Sequence, residues 1–247
     1  MTEHITDYDA LSAEMYDILS EAHWQQRQPS FTETLRQMNA PSGNWLNIGT
    51  GTGLELSMIA KTIPDIHLFA IEPSAAMRVG LMTRLMMQPE IQHRVTVIAD
   101  SFQDADLPSS FSAATVCGCI GFFDETDRAA LWQRLARNIC HDGAILVDTM
   151  MVDHPQRVET MKVGSKQIGQ QTYEVYLQGE PGSQTMMHWT MTYKVIRNHQ
   201  VQREFKIERD WRAFGIGQVI DEAAREGFSG EIIPSSPVPT AILRYSS

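Results

Sequence analysis

Apolar residues recur at spacings of three and four over the first 40 positions, the period of helices with one buried stripe. Tyr8, Leu11, Met15 and Leu19 form one stripe, and Phe31, Leu35 and Met38 form another, so residues 1–40 read as a cap of two helices. Pro41-Ser42-Gly43 breaks the pattern. From 45 to 149 short apolar runs alternate with helical patterns. Strands are predicted at 45–48, 67–71, 94–99, 113–120 and 144–149, and helices at 53–62, 74–87 and 127–139. Pro64 and Pro89 stop the first two helices, and Asp142-Gly143 is the turn behind the third. This order implies right-handed crossovers and a parallel sheet covered on both faces.

After 149 the pattern changes. Residues 150–183 are polar and read as irregular. Residues 185–196 and 201–209 read as two strands around Arg197-Asn198-His199-Gln200, a hairpin. On the first of them Met187, Trp189, Met191, Tyr193 and Val195 share one face, and His188, Thr190, Thr192 and Lys194 share the other. The apolar face either packs on the main sheet or walls an acceptor pocket. A helix at 217–226 ends at Gly227, and strands at 230–233 and 240–245 close the chain. The expected architecture is α/β: a doubly wound, mostly parallel seven-stranded sheet with N-terminal helices and an inserted β-hairpin. The expected divisions are a helical cap at 1–40, a core at 41–149, an insertion at 150–212, and a C-terminal helix with closing strands at 213–247.

The net charge of −10 makes the chain a poor partner for nucleic acid or an anionic membrane, so neither is expected. Three cysteines, an odd number, are too few for a disulfide framework and suggest a reducing cytoplasm. Glu3, Asp7, Asp9, Glu14 and Asp17 do not make a signal peptide, and no apolar run reaches the roughly 18 residues of a membrane span.

Three positions carry the chemistry. Leu46-Asn47-Ile48-Gly49-Thr50-Gly51-Thr52-Gly53-Leu54-Glu55 places glycines at alternate positions between a strand and a helix. Glycine permits positive φ and a ligand's close approach, and the helix start behind it offers free N–H groups. A dinucleotide fingerprint needs its third glycine or alanine where Leu54 stands, and no lysine closes the loop as a phosphate P-loop requires. Glu55, one turn into the helix, reads as an acid favoured by the helix dipole. Glu72, in Ala70-Ile71-Glu72-Pro73-Ser74, ends the second strand, where a carboxylate can accept both hydroxyls of a ribose. Asp100, in Ile98-Ala99-Asp100-Ser101-Phe102, ends the third, where it can accept from an exocyclic amine while Phe102 covers a base.

In this order the sites of 45–149 resemble the Rossmann-like catalytic domain of S-adenosylmethionine-dependent methyltransferases. The resemblance implies that Gly49, Gly51 and Gly53 pass the methionine part of S-adenosylmethionine, that Glu72 holds its ribose and that Asp100 holds its adenine. Asn47, Thr50, Pro73, Ser101, Phe102 and Cys117 complete the implied cofactor set, with Tyr8 and Tyr16 as candidates to fold over the cofactor from the N-terminal helix. The closing strands at 230–233 and 240–245 fit the antiparallel hairpin that ends the family's sheet. Asn47 departs from the family, which carries an acid there; asparagine keeps an acceptor oxygen and lacks the charge. The run Ala114-Thr115-Val116-Cys117-Gly118-Cys119-Ile120-Gly121-Phe122-Phe123 lacks the Asn-Pro-Pro-Tyr type motif of nucleobase methylation. Cys117, Cys119, Cys140 and His141 match no metal-knuckle spacing, so no metal is expected.

The implied activity is methyl transfer to a small-molecule acceptor, to nitrogen rather than oxygen. The alternatives are a protein of this fold that uses S-adenosylmethionine in another reaction or structurally, and a nicotinamide-dependent oxidoreductase, which Leu54 disfavours. If a general base is used, His23, His154 and His188 are its candidates. The insertion, with Tyr173, Tyr176, Trp189, Tyr193 and Trp211, is expected to be an acceptor-recognition lid, with a homodimer surface as the competing reading.

Overall fold

The computed structural model describes residues 7–245. Both predicted N-terminal stripes lie on one continuous helix, α1 (Asp7–Gln37), with Pro29 inside it. A proline costs a helix interior about 3 kcal/mol. Burial of Trp24, Phe31, Leu35 and Met38 offsets this at roughly 1.5–3 kcal/mol for each large apolar side chain.

The elements then follow in chain order. β1 (Gly43–Ile48), α2 (Leu54–Thr62), β2 (Ile66–Ile71), α3 (Ala75–Met86), α4 (Pro89–Gln92) and β3 (Val95–Ile98) form the first half of the core. β4 (Phe111–Val116), α5 (Glu125–Asn138) and β5 (Ile139–Asp148) form the second. Four long strands come next: β6 (Val158–Ile168), β7 (Gln171–Pro181), β8 (Met186–Arg197) and β9 (Gln200–Arg212). α6 (Ile216–Ala224), β10 (Phe228–Ile232) and β11 (Thr240–Tyr245) close the chain.

The main sheet has seven strands in the order β10-β11-β5-β4-β1-β2-β3. β1 to β5 run parallel, and β11 pairs antiparallel with both β5 and β10. This is the expected doubly wound, Rossmann-like α/β sheet. Leu131, Trp132 and Leu135 of α5 and Val219 of α6 pack on one face. Leu35 of α1, Leu56 and Ile59 of α2 and Leu81 of α3 pack on the other. Strand order reverses between β1 and β4, so the crevice for a ligand opens at their carboxyl ends.

Three local readings need correction. The strand predicted at 113–120 ends at Val116, because Gly118 takes φ 64 and turns the chain into a 3-10 turn at Ile120–Phe122. Asp142-Gly143 is not a turn between helix and strand: β5 already begins at Ile139, and Asp142 sits at φ 63 inside it, beside an irregular register with β4. Residues 150–183 are not irregular; β6 and β7 make a second hairpin there, turned at Gly169 with φ 59. Their polarity reflects exposure, since β6 buries only Gly164 fully.

The four long strands form a separate antiparallel sheet in the order β6-β7-β8-β9. The predicted facing of β8 holds, but most of its apolar face does not pack on the main sheet. Met191, Tyr193 and Val195 pack against Leu11, Met15, Ile18 and Leu19 of α1. Met187 and Trp189 pack at the root of the insertion with Ala213, Met150 and Trp211. α1 therefore lies under the second sheet with its first half and on the main sheet with its second.

Candidate active site

β1 ends at Ile48, and the backbone turns through Gly49, Gly51 and Gly53 at φ 72, 57 and 83. These are left-handed conformations that cost another residue roughly 1–2 kcal/mol. A Cβ at Gly49 would lie 2.8 Å from the Cβ of Cys119, and one at Gly53 would lie 2.7 Å from Leu81 Cδ1. The loop hangs on β2: the N–H groups of Gly49 and Thr50 donate to the Ile71 carbonyl at 3.0 and 3.1 Å. Helix α2 then starts from Gly53 with no side-chain cap, leaving its first N–H groups facing the crevice.

Glu72 ties this loop to the next one. Its Oε2 accepts from the Gly51 N–H at 2.7 Å and its Oε1 from the Ser74 N–H at 2.8 Å. Burial pushes its pKa up, and the two backbone donors oppose that rise. A carboxylate has about four lone-pair sites, so each oxygen retains one for a ribose hydroxyl. Pro73 follows it, with its carbonyl held by Arg78 at 2.8 Å.

Helix α1 closes the crevice from above. Tyr16 lies over the glycine loop, its Oη 3.3 Å from where a Cβ of Gly51 would stand. The Tyr8 side chain lies outside the described residues. Asp17 anchors the contact: Oδ1 accepts from Thr52 Oγ1 and Oδ2 from Arg84 Nη2, each at 2.5 Å. Between helix and loop lies a cavity lined by Tyr16, Ser20, His23, Trp24, Arg27, Gly49, Thr50, Leu54, Glu55, Cys117 and Gly118.

Arg27 is the main group that sequence reasoning missed. Its Nη2 donates to Asp148 Oδ2 at 2.5 Å, and both side chains are 4% exposed. Asp148, at the end of β5, also accepts from the Gly118 N–H at 2.7 Å. The guanidinium stacks 4.5 Å over the Trp24 ring, and its Nε is buried without a partner. A signal was present: Tyr16, Ser20, His23, Trp24 and Arg27 are spaced four, three, one and three residues apart, one face of a helix. That face was obscured because its residues are polar or aromatic, not the aliphatic stripe a hydrophobic period detects.

Glu55 also needs a new reading. It is no surface acid favoured by a helix dipole; it is 4% exposed and lines the cavity, and its Oε1 has no partner. Asn47, beneath it on β1, donates from Nδ2 to Thr115 Oγ1 at 2.8 Å, and its buried Oδ1 is unpartnered.

The remaining predicted residues lie elsewhere or contribute otherwise. Asp100 is half-buried beyond β3, and Ser101 is turned to Asp104 at 2.8 Å. The Phe102 ring is buried in the core under the Arg134 guanidinium at 5.0 Å. None of these three lines the cavity. Burial drives the thiols of Cys117 and Cys119 well above their ordinary pKa, and Cys119 Sγ donates to the Ile48 carbonyl at 3.2 Å. They pack as small apolar groups and do not act as nucleophiles.

Of the three histidines only His23 lines the cavity. Burial and then Arg27 lower its pKa, so it is neutral at pH 7. His154 is exposed and pairs with Asp153 at 2.6 Å. His188 pairs with Asp210 at 2.9 Å, and that hydrogen bond raises its pKa.

Comparisons with known proteins agree with the fold. Residues 46–143 match the family model of a methyltransferase domain. The chain is similar in structure to the sugar N-methyltransferase KedS8 from Streptoalloteichus sp. ATCC 53650, with a TM-score of 0.71 at 17% identity over 90% of this chain and 87% of that one. It is similar to DesVI from Streptomyces venezuelae, with a TM-score of 0.76 at 14% identity over 99% and 100%. It is similar to S-adenosylmethionine-bound CalS10, an amino pentose methyltransferase from Micromonospora echinaspora, with a TM-score of 0.72 at 14% identity over 100% and 99%. At such identities the likeness is one of fold. No curated protein matches the sequence. The matched stretch is similar to a methyltransferase domain, and the sheet that contains it has the Rossmann-like strand order. Among the described residues no helix is long and apolar enough to cross a membrane.

The residues present fit the cofactor. Glycines leave room for it below Tyr16, and the cavity lining carries buried polar atoms without partners on Arg27 and Glu55, with a third on Asn47 of β1. Those orphaned atoms, two acceptors and one cationic donor, match the ammonium and carboxylate of an amino-acid end.

Proposed function

We propose that the chain transfers a methyl group from S-adenosylmethionine to an amine nitrogen of a small, sugar-like acceptor. The observation that carries the choice of nitrogen is the state of His23. Its Nε2 lies 3.3 Å from Arg27 Nη1. A guanidinium only donates, so Nε2 accepts and its lone pair is already engaged. His154 and His188 stand outside the cavity and hold carboxylates, so none of the three candidates offers a free basic nitrogen to an acceptor there. A hydroxyl acceptor needs a base within reach of its proton, whereas a neutral amine brings its own lone pair. KedS8 and CalS10, described as a sugar N-methyltransferase and an amino pentose methyltransferase, support the same acceptor class.

When bound, S-adenosylmethionine supplies an electrophilic methyl group on a sulfonium. The chain's own residues hold and align the reactants. Glu72 accepts from the ribose hydroxyls, the glycine loop and Tyr16 enclose the methionine part, and Arg27 receives its carboxylate. Alignment and exclusion of water account for the catalysis, and such positioning can supply about 7–11 kcal/mol.

The acceptor wall is read from Trp211 and Phe122, and not from Trp189. Trp189 is 5% exposed and anchors the root of the second sheet. Phe122 is 46% exposed, just past the end of β4, and its ring meets Trp211 edge-on at 4.4 Å. The Trp211 indole presses on Gly121, where a Cβ would stand 2.0 Å from its Nε1. An aromatic pair beside the crevice suits the partly apolar face of a sugar.

The purified enzyme, given S-adenosylmethionine and matched amino and hydroxy sugars, is expected to form S-adenosylhomocysteine with an N-methylated product detected by mass spectrometry. Turnover confined to the hydroxy sugars, with O-methyl product, would show the nitrogen assignment wrong.

A further inference from the structure

Alternation along β9 places Ile207, Arg209 and Trp211 on one face of the second sheet. Ile207 packs with Met15 of α1, and Trp211 presses on Gly121 in the turn after β4. Arg209 stands between these two contacts and is half-buried. Its Nη2 donates to Ser12 Oγ of α1 at 3.4 Å, and its guanidinium lies 5.6 Å from the centre of the Phe122 ring. One side chain of the second sheet thus spans from the helix that covers the glycine loop to the turn beside the acceptor wall.

The same guanidinium reaches the field of Glu72. Ser12 lies one turn before Tyr16 on α1, Tyr16 lies over Gly51, and the Gly51 N–H is held by Glu72 Oε2 at 2.7 Å. Burial raises the pKa of Glu72, and the Ser74 and Gly51 N–H groups, then Arg78 and Arg209, oppose the rise. The two arginines approach the acid differently. Arg78 belongs to α3, within the core, and donates to the carbonyls of Glu72 and Pro73, each at 2.8 Å. Arg209 comes from the second sheet, between Ser12 and Phe122.

Hydrogen-bond arithmetic gives this placement a use. A ribose hydroxyl has one proton to give and two lone pairs to fill. Glu72 takes the proton and, as a carboxylate, has none to return. The Gly51 and Ser74 N–H groups are spent on Glu72 itself. A guanidinium has five donors and no acceptor, so it complements the hydroxyl oxygens as the carboxylate complements their protons.

We propose that Arg209 donates to the ribose hydroxyl oxygens of bound S-adenosylmethionine while Glu72 accepts their protons, so that the second sheet holds the cofactor as well as walling the acceptor. The inference rests on the S-adenosylmethionine reading of the site and adds to it a residue from outside the Rossmann-like core. It also gives the expected acceptor-recognition lid a second task. A hydrogen bond from a charged donor corresponds to about a tenfold to hundredfold difference in affinity. Such differences fall mainly on the dissociation rate, so removal of Arg209 should speed release of the ligand more than it slows binding.

The test is calorimetric titration of the whole protein and its Arg209→Met variant with three ligands: S-adenosylhomocysteine, its 2′-deoxy analogue and its 3′-deoxy analogue. Methionine keeps an unbranched apolar stem in place of the arginine's, and a half-buried side chain at the rim should leave the unfolding midpoint within about 2 °C. Arg209→Met should bind S-adenosylhomocysteine about tenfold or more weakly. That loss should shrink by at least threefold for one or both deoxy analogues, because the oxygen that Arg209 meets is then missing from the ligand. A loosened second sheet would weaken all three ligands alike. A loss of the same size for all three, or a loss below fivefold for S-adenosylhomocysteine, overturns the proposal and leaves the cofactor reading standing. Failure of the wild type to bind S-adenosylhomocysteine overturns the cofactor reading, and the Arg209 assignment with it.

Discussion

Arg27→Ala is expected to lower the unfolding midpoint by roughly 6–20 °C and to abolish cofactor binding. Arg27 and Asp148 form an ion pair with both side chains 4% exposed. Removing one member of such a pair leaves an uncompensated buried charge and costs about 3–5 kcal/mol. For a chain of this size each kcal/mol shifts the midpoint by about 2–4 °C. Loss of stability and loss of binding are separable, because replacing both members of a buried pair by neutral groups of similar size is often tolerated. The double variant Arg27→Met, Asp148→Asn should recover most of the midpoint, since the introduced amide oxygen can still accept from the Gly118 N–H. It should not recover binding, since no cation remains for the ligand's carboxylate. Thermal melts with and without S-adenosylhomocysteine decide both points. A double variant that binds as tightly as the wild type would mean that Arg27 is only structural.

Glu72→Ala is expected to weaken S-adenosylhomocysteine binding by at least a hundredfold. Hydrogen bonds to a charged group contribute about 1.5–3 kcal/mol each, and two ribose hydroxyls are at stake. Each 1.4 kcal/mol is a factor of ten in the dissociation constant. The substitution also frees the Gly51 and Ser74 N–H groups, both held by Glu72 at under 3 Å, so the glycine loop loses its tie to the β2–α3 turn. Calorimetry on the variant reads the loss directly. A change below tenfold would place the ribose elsewhere.

The sheet was legible because its parallel strands are short, apolar and interrupted by helices stopped at Pro64 and Pro89. The loop at Gly49, Gly51 and Gly53 was legible because the backbone there needs positive φ, which leaves glycine little competition. What escaped was set by tertiary packing. β6 and β7 fully bury only Gly164, Val175 and Gly179, since their sheet packs only against α1 and at the root of the insertion. Their alternation was too weak to mark them as strands. Arg27, Glu55 and Asp148 escaped for a related reason. Each reads as an ordinary surface charge in sequence, and only the fold brings α1 over the ends of β1 and β5 and buries them. Histidine was the opposite case: His154 and His188 were eligible by chemistry, and the fold places them on exposed ground beside acids.

The most direct measurement is a titration of the purified protein with S-adenosylhomocysteine, set against NAD under the same conditions. The alternate-glycine loop, Glu72 and the cavity under α1 predict saturable one-to-one binding of S-adenosylhomocysteine. At 100 times the dissociation constant the ligand should add about 2.7 kcal/mol of stability, with no effect from NAD. A clear shift with NAD and none with millimolar S-adenosylhomocysteine would contradict the account.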